Sequence, residues 1–193
     1  MSIVDKLIGT ARSLAAEGST HDFAHVERVL KIASYMALKE NADLEIVQVS
    51  ALLHDIGRSI GEPHSETGAE KAREILMGLG YPEEKTRRVE QAIHVHSFSD
   101  RDKVKTLEEG IVWDADKIDG LGAIGLASAF HLGGERRESM TQLSWFQGDT
   151  RLRYERLFTE TARRLAKPRW EFMEQFMQKL EEEISLTDLL DWP

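Results

Sequence analysis

A histidine and an aspartate stand side by side in "ALLHDIGRS" (residues 51–59), at the end of an apolar run. Buried, such a pair is heavily penalised unless something neutralises it, whereas at an exposed helix end it is unremarkable. Taken alone, His54-Asp55 leaves both readings open. Three further polar islands interrupt the apolar pattern, and each carries His or Asp. In "HDFAHVERV", His21 and His25 lie four residues apart on one helical face, and His25 is in phase with Val29 and Ala33, which points it inward. "HSETGAEKA" is led by His64 and pairs with "IHVHSFS", where His96 beside "SFS" is preferred over His94. In "DADKID", Asp116 and Asp119 share a face with Ala123, while Asp114 competes with them for a place in any site. A divalent cation satisfies several inward imidazoles and carboxylates at once, and facing helices of a bundle are a known place to build such a centre. The mixed nitrogen and oxygen donors, with no thiolate, suit Mn²⁺, Fe²⁺, Co²⁺, Ni²⁺ or Zn²⁺ without selecting among them. Neighbours on a helix diverge by about 100°, but side chains of unequal length, such as His54 and Asp55, can still converge on one ion.

The elements that must position these residues read as helices. "MSIVDKLIGTARSLAAEG" is amphipathic, and its Asp5 and short apolar blocks predict neither a signal peptide nor a membrane span. Ser19 and Thr20 are candidate N-caps for the helix carrying His25. "DLEIVQVSALLHDIGRS" has an acidic start, an apolar body and Gly57 as a stop. "HSETGAEKAREILMGLGYP" ends at Gly80 and Pro82, and "PEEKTRRVEQAIHVHSFS" opens with Pro and a Glu pair. Residues 99–110 read as a polar loop, and "IVWDADKIDGLGAIGLASAF" carries small residues that allow another helix to approach. Residues 132–150 read as a connection before two charged amphipathic helices. No stretch has the alternation of a sheet. The expectation is an all-α, single-domain bundle over 1–193, with a metal-site core at about 19–131 and C-terminal helices at about 151–186 packed on it.

Composition narrows the function. The chain has 193 residues, net charge −9 and no cysteine. Thiolate zinc sites, disulfide scaffolds and cysteine nucleophiles are therefore excluded, and a reducing, cytoplasmic setting is expected. An acidic surface disfavours a nucleic-acid polymer as partner, but a bound cation can invert the local field for a small anion. No glycine-rich phosphate loop is present, so energy-coupled NTPase chemistry lacks support. Arg58 and Lys117, each next to a candidate ligand, are placed to hold phosphate oxygens.

The order His25, His54-Asp55, Asp116 resembles the H…HD…D signature of the HD-domain metal-dependent phosphohydrolase superfamily. "HDFAHVERV", "LLHDIGR", "HSFS", "DADKIDGLGAIGLASAF" and the tail "TETARRLAKPRWEFMEQFMQKLEEEI" look like its small stand-alone bacterial branch, described as nucleotide pyrophosphohydrolases or left unassigned. The resemblance implies a helical HD-type bundle with His25, His54, Asp55 and Asp116 as metal ligands. The ion would be Mn, Co, Ni, Fe, Mg or Zn, manganese being one choice, with a second ion an option. Catalytic roles are expected for Asp55, Arg58, His64, His96 and Lys117, and substrate contacts for His21, Asp22, Arg58, Lys117 and Asp119. The expected activity is hydrolysis of a small phosphorylated substrate, most readily a nucleotide, through metal-activated water. The alternatives are a non-catalytic metal- or nucleotide-binding regulator, or a hydrolase of a signalling nucleotide. A deoxynucleotide monophosphatase branch carries glutamate where this chain has Arg58, which lowers the expectation of simple 5′-monophosphate cleavage. A monomer or homodimer without membrane attachment is expected.

Overall fold

The computed structural model describes residues 2–15, 20–137 and 144–189, the side chains of 144–149 excepted. Ser19 lies outside the described residues. The described secondary structure is helical throughout: α1 (Ile3–Leu14), α2 (Phe23–Glu40), α3 (Leu44–Leu53), α4 (His64–Gly78), α5 (Glu83–His94), α6 (Leu107–Asp119), α7 (Gly122–Glu135), α8 (Ser144–Glu155) and α9 (Glu160–Ser185). None of these helices is long and apolar enough to cross a membrane.

The architecture follows from α3, which is apolar on every side. Ile46, Val47, Val49, Ser50, Ala51, Leu52 and Leu53 are all buried, so this helix must lie at the centre with others around it. Val47 and Ala51 face one cluster, built with Val29, Ala33 and Met36 of α2, Ile111 to Ile118 of α6, and apolar residues of α7 and α9. Ile46, Val49, Leu52 and Leu53 face a second cluster, closed by Leu7 and Ala11 of α1, Ala69, Ala72 and Leu76 of α4, and Val89 and Ile93 of α5. Each large side chain buried here contributes about 1.5–3 kcal/mol. The polar tip of α3 therefore opens between the two clusters, against α2, α4, α5 and α6.

Several element ends differ from the sequence reading, each for a local reason. Helix α2 is capped by Asp22, whose side chain accepts a hydrogen bond from the His25 N–H at 3.0 Å. His21 consequently precedes the helix instead of sharing its face. Helix α3 ends at Leu53 rather than running to Gly57; His54 is its C-cap and Ile56–Ser59 forms a 3₁₀ turn. The stretch 99–110 is not one loop. Phe98–Lys103 is 3₁₀, and a reciprocal cap between Thr106 and Glu109 starts α6 at Leu107. The small-residue stretch after Asp119 breaks at Gly120 and Leu121, so two helices replace one.

Gly57 is required by packing. A Cβ there would lie 1.9 Å from the His64 carbonyl oxygen and 2.7 Å from the Gly68 nitrogen. The 3₁₀ turn thus sits directly on the start of α4, which brings His64 to the end of α3.

Candidate metal centre

His54 and Asp55 converge because the helix stops between them. His54 retains helical dihedrals, whereas Asp55 has φ −104° and ψ 6°, so the two side chains escape the divergence that a continuous helix would impose. Around them the fold gathers His25 from α2, Asp116 from α6, His64 from the start of α4 and His96 just beyond α5. Burial is severe: His54 is 0% exposed, His96 1%, His25 4% and Asp55 5%.

Distances show two groups joined through a third, that of His21, His25 and Asp55. His25 Nε2 lies 3.2 Å from His54 Nε2, 3.5 Å from Asp116 Oδ1 and 3.6 Å from Asp55 Oδ2. His54 Nε2 lies 3.6 Å from Asp55 Oδ2 and 4.0 Å from Asp116 Oδ1. On the other face of Asp55, Oδ1 lies 3.4 Å from His96 Nε2 and 3.8 Å from His64 Nε2. The ligand atoms of His25, His54 and Asp116, and separately those of Asp55, His64 and His96, fall within 4.8 Å of one another. Asp55 stands between the two sets. His94, the last residue of α5, joins neither.

The outer faces of the imidazoles decide what the inner faces can do. His54 Nδ1 lies 2.8 Å from the Ala51 carbonyl, His96 Nδ1 2.6 Å from the Ile93 carbonyl, and His25 Nδ1 2.8 Å from Asp119 Oδ2. Each of these acceptors fixes a proton on Nδ1, which leaves the Nε2 lone pair pointing inward. His25 and His54 then oppose two lone pairs across 3.2 Å, an arrangement suited to a shared cation and poor for a hydrogen bond between them. His96 Nε2 is buried and lacks any hydrogen-bond partner, and buried Asp55 Oδ1 meets Arg58 Nε in an ion pair at 2.8 Å without the alignment of a hydrogen bond. These atoms, nitrogen and oxygen donors of the right kind, fit a divalent metal.

The electrostatics agree. Burial pushes His54 down to about 4, so it is neutral and ligand-ready at neutral pH. Burial opposes charge on Asp55, but the imidazoles of His54, His21 and His96 outweigh it and hold the carboxyl well below the usual range. Burial likewise opposes charge on Asp116, where Lys117 leads the neighbours that keep it ionised. At His25 burial lowers and the carboxylates of Asp119, Asp116 and Asp55 raise, and the carboxylates win.

The remaining candidates take distinct places. His21 Nδ1 lies 2.7 Å from Asp55 Oδ2. Arg58 Nε forms an ion pair with Asp55 Oδ1 at 2.8 Å. Lys117, buried, donates to Asp116 and to the His96 carbonyl at 3.1 Å. Asp22 is an α2 cap and does not line the cavity above the centre. Asp119 lines that cavity but sits behind His25, where Arg28 also donates to it at 2.7 and 2.9 Å. Asp114 faces away, accepting from the Phe158 and Thr159 backbone N–H groups and the Thr159 hydroxyl. Sequence reasoning missed Arg28. Its signal was its place one helical turn after His25, on the same face.

Because Asp119 sets the orientation of His25, Asp119→Asn is expected to weaken divalent-metal affinity about 10- to 100-fold while leaving helicity unchanged. Calorimetric titration with Mn²⁺, alongside circular dichroism, measures both.

The cavity over the centre has a volume of about 550 Å³, and its walls include His21, Arg58, His64, Phe98, Lys117 and Arg153. That is the size of a small-molecule site. Residues 22–121, which hold all four predicted ligands, match the HD domain model. The Bacillus subtilis protein YpgQ is 34% identical over 186 residues, covering 89% of this chain and 88% of YpgQ. The crystal structure of YpgQ in complex with ADP superposes with a TM-score of 0.79 at 33% identity, covering 94% of this chain and 97% of that one. An HD-superfamily hydrolase from Bacillus thuringiensis superposes with a TM-score of 0.77 at 28% identity, covering 94% and 96%. The matched model spans more than half of the chain, and the likeness to YpgQ runs through nearly all of it: the chain belongs to the HD domain family.

Proposed function

We propose that the chain is a metal-dependent phosphohydrolase that cleaves a phosphate ester or anhydride of a small nucleotide by attack of water. His25, His54, Asp55 and Asp116 hold one divalent ion; His64 and His96, with Asp55 between, are suited to a second. The observation that carries the reading is the set of three imidazoles whose Nδ1 sides are bonded outward, so that their Nε2 lone pairs converge with two ionised carboxylates below a 550 Å³ cavity. A divalent ion in such a site supplies charge neutralisation and the acidification of water that makes a nucleophile near neutral pH.

The side chains supply the rest. Asp55 Oδ1, which is ion-paired with Arg58 but accepts no aligned hydrogen bond, accepts a hydrogen bond from the attacking water and orients it. Arg58, anchored on Asp55, presents its guanidinium to phosphate oxygens. His64 faces the cavity with Nε2 3.4 Å from the Ser97 hydroxyl; with a single ion bound, and His64 therefore not a ligand, it protonates a leaving oxygen from that position. Lys117 supports Asp116 and the His96 segment, and His21 holds the second oxygen of Asp55. ADP in the YpgQ crystal supports a nucleotide as the substrate class, and Arg58 favours cleavage of an anhydride over that of a simple monophosphate.

The test is a panel of nucleoside tri-, di- and monophosphates with Mn²⁺, Mg²⁺, Co²⁺ and Ni²⁺, following both phosphate and pyrophosphate release. Release from at least one member in the metal-loaded protein, and none after chelation, is expected. Tight nucleotide binding without release from any member would replace the hydrolase reading with that of a regulator.

A further inference from the structure

The far wall of the cavity holds a cation that the proposed chemistry does not use. Arg153, on α8, is half-buried and lines the cavity with Gly120, Ser128 and Leu132. The other two cations of the wall are engaged: Arg58 is ion-paired with Asp55 at 2.8 Å, and Lys117 is bonded to Asp116 and the His96 carbonyl. Among the described residues Arg153 has neither an ion pair nor a hydrogen bond. Its position is also built. The guanidinium lies over Gly120 so closely that a Cβ on that residue would sit 2.8 Å from Nη1, so the missing side chain is what admits it to the end of α6. A structural task for it is hard to find there, because the Ile118 carbonyl near the end of α6 is already met by Arg169 at 2.7 Å and by the Leu121 N–H at 3.0 Å.

We propose that Arg153 is a substrate-binding residue that holds a phosphate group other than the one attacked at the metal centre, and so selects for substrates with two or more linked phosphates. The inference rests on the phosphohydrolase reading. The chain is acidic overall, with net charge −9, so a polyanion gains little from long-range attraction and depends on cations inside the cavity. Arg58 and Lys117 are partly neutralised by Asp55 and Asp116. An unpaired guanidinium with a fork of donors is the group best suited to take the remaining phosphate oxygens. Gly120 follows Asp119 directly in sequence, which ties the placement of this cation to the helix that also carries Asp116.

The experiment compares wild type with Arg153→Gln, Arg153→Lys and Gly120→Ala, all Mn²⁺-loaded, by calorimetric binding of ADP, AMP and inorganic pyrophosphate and by steady-state kinetics. Loss of a charge-assisted hydrogen bond predicts about 10- to 100-fold weaker binding of ADP and pyrophosphate by Arg153→Gln. AMP binding should be unchanged, and KM should rise with little change in kcat. Arg153→Lys should recover part of the loss, and Gly120→Ala should reproduce it by displacing the guanidinium. Thermal unfolding of the metal-free proteins controls for folding, and Arg153→Gln should match wild type. Equal weakening of AMP and ADP, or no weakening of either, overturns the assignment of Arg153 while wild-type turnover stands. Absence of binding and turnover in wild type itself fells the phosphohydrolase reading, a result visible before any variant is measured.

Discussion

Replacing Asp55 with alanine is expected to reduce nucleotide hydrolysis by on the order of 10³-fold or more and to abolish the stabilisation that divalent metal gives the wild type. Both effects come from one position. Asp55 Oδ2 lies 3.6 Å from the Nε2 atoms of His25 and His54, while Oδ1 faces His96 and His64 at 3.4 and 3.8 Å. Its removal takes a charged ligand from each group at once. For the wild type, a metal present at 100 times its Kd stabilises by about 2.7 kcal/mol. At roughly 2–4 °C per kcal/mol for a chain of this size, Tm rises by about 5–11 °C. Asp55→Ala should show no such shift and should retain no metal in elemental analysis after gel filtration. A variant that matched wild type in turnover with metal bound would place the chemistry elsewhere in the molecule. His21 and Arg58 lose their carboxylate partner in this variant, so metal-free stability must be recorded beside the shift.

The fold class, and the gathering of His25, His54, Asp55 and Asp116 in one place, were legible because helical phase and local composition carry them. His25 in register with Val29 and Ala33 has to face the core that those residues build, and the chain has no alternating stretch to suggest a sheet. What phase could not give was the behaviour of the chain where helices stop. His54 and Asp55 converge through the break at Leu53, and His64 reaches them because Gly57 permits a contact that a Cβ would prevent. The N-terminal signals misled in a simple way: Thr20 precedes a better-placed acceptor, and Asp22 takes the cap because its carboxylate reaches the His25 N–H. Asp22 and Asp119 were read as substrate contacts from their proximity to ligands. The structure gives one to the helix cap and the other to the back of His25, where hydrogen bonds satisfy both carboxylates. Arg153 was invisible because it is 37 residues beyond Asp116, and only tertiary packing brings α8 over Gly120.

The three carboxylates of "DADKID" offer the sharpest separation of structure from chemistry, since two of them lie only two residues apart and should fail in different ways. Asp114 is buried, which pushes its carboxyl up to about 6 although three donors oppose the shift; at neutral pH it is ionised and acts as acceptor only. Oδ1 takes the Phe158 N–H at 2.8 Å, and Oδ2 takes the Thr159 N–H and hydroxyl at 2.9 Å each. Thr159 is in turn the N-cap of α9, so this carboxylate fastens the start of the last helix to α6. Asp114→Ala strands three donors around a void. The expected loss is about 3 kcal/mol or more, a fall in Tm of roughly 6–12 °C, with metal binding and turnover preserved below the transition. Asp114→Asn should fall between, because its amide keeps one acceptor oxygen and turns an N–H toward donors that need an acceptor. Asp116→Ala should fail chiefly at the site. Lys117, His54 and His25 hold Asp116 ionised against burial and the like charge of Asp55, so without metal its loss lowers Tm, but by less than Asp114→Ala, because the one donor it strands, Lys117, keeps the His96 carbonyl. With metal added, turnover and the thermal shift should both collapse. Urea unfolding and metal titration of the two variants side by side measure the contrast, and a metal-free Asp116→Ala protein as unstable as Asp114→Ala would show that Asp116 serves the fold instead of the site.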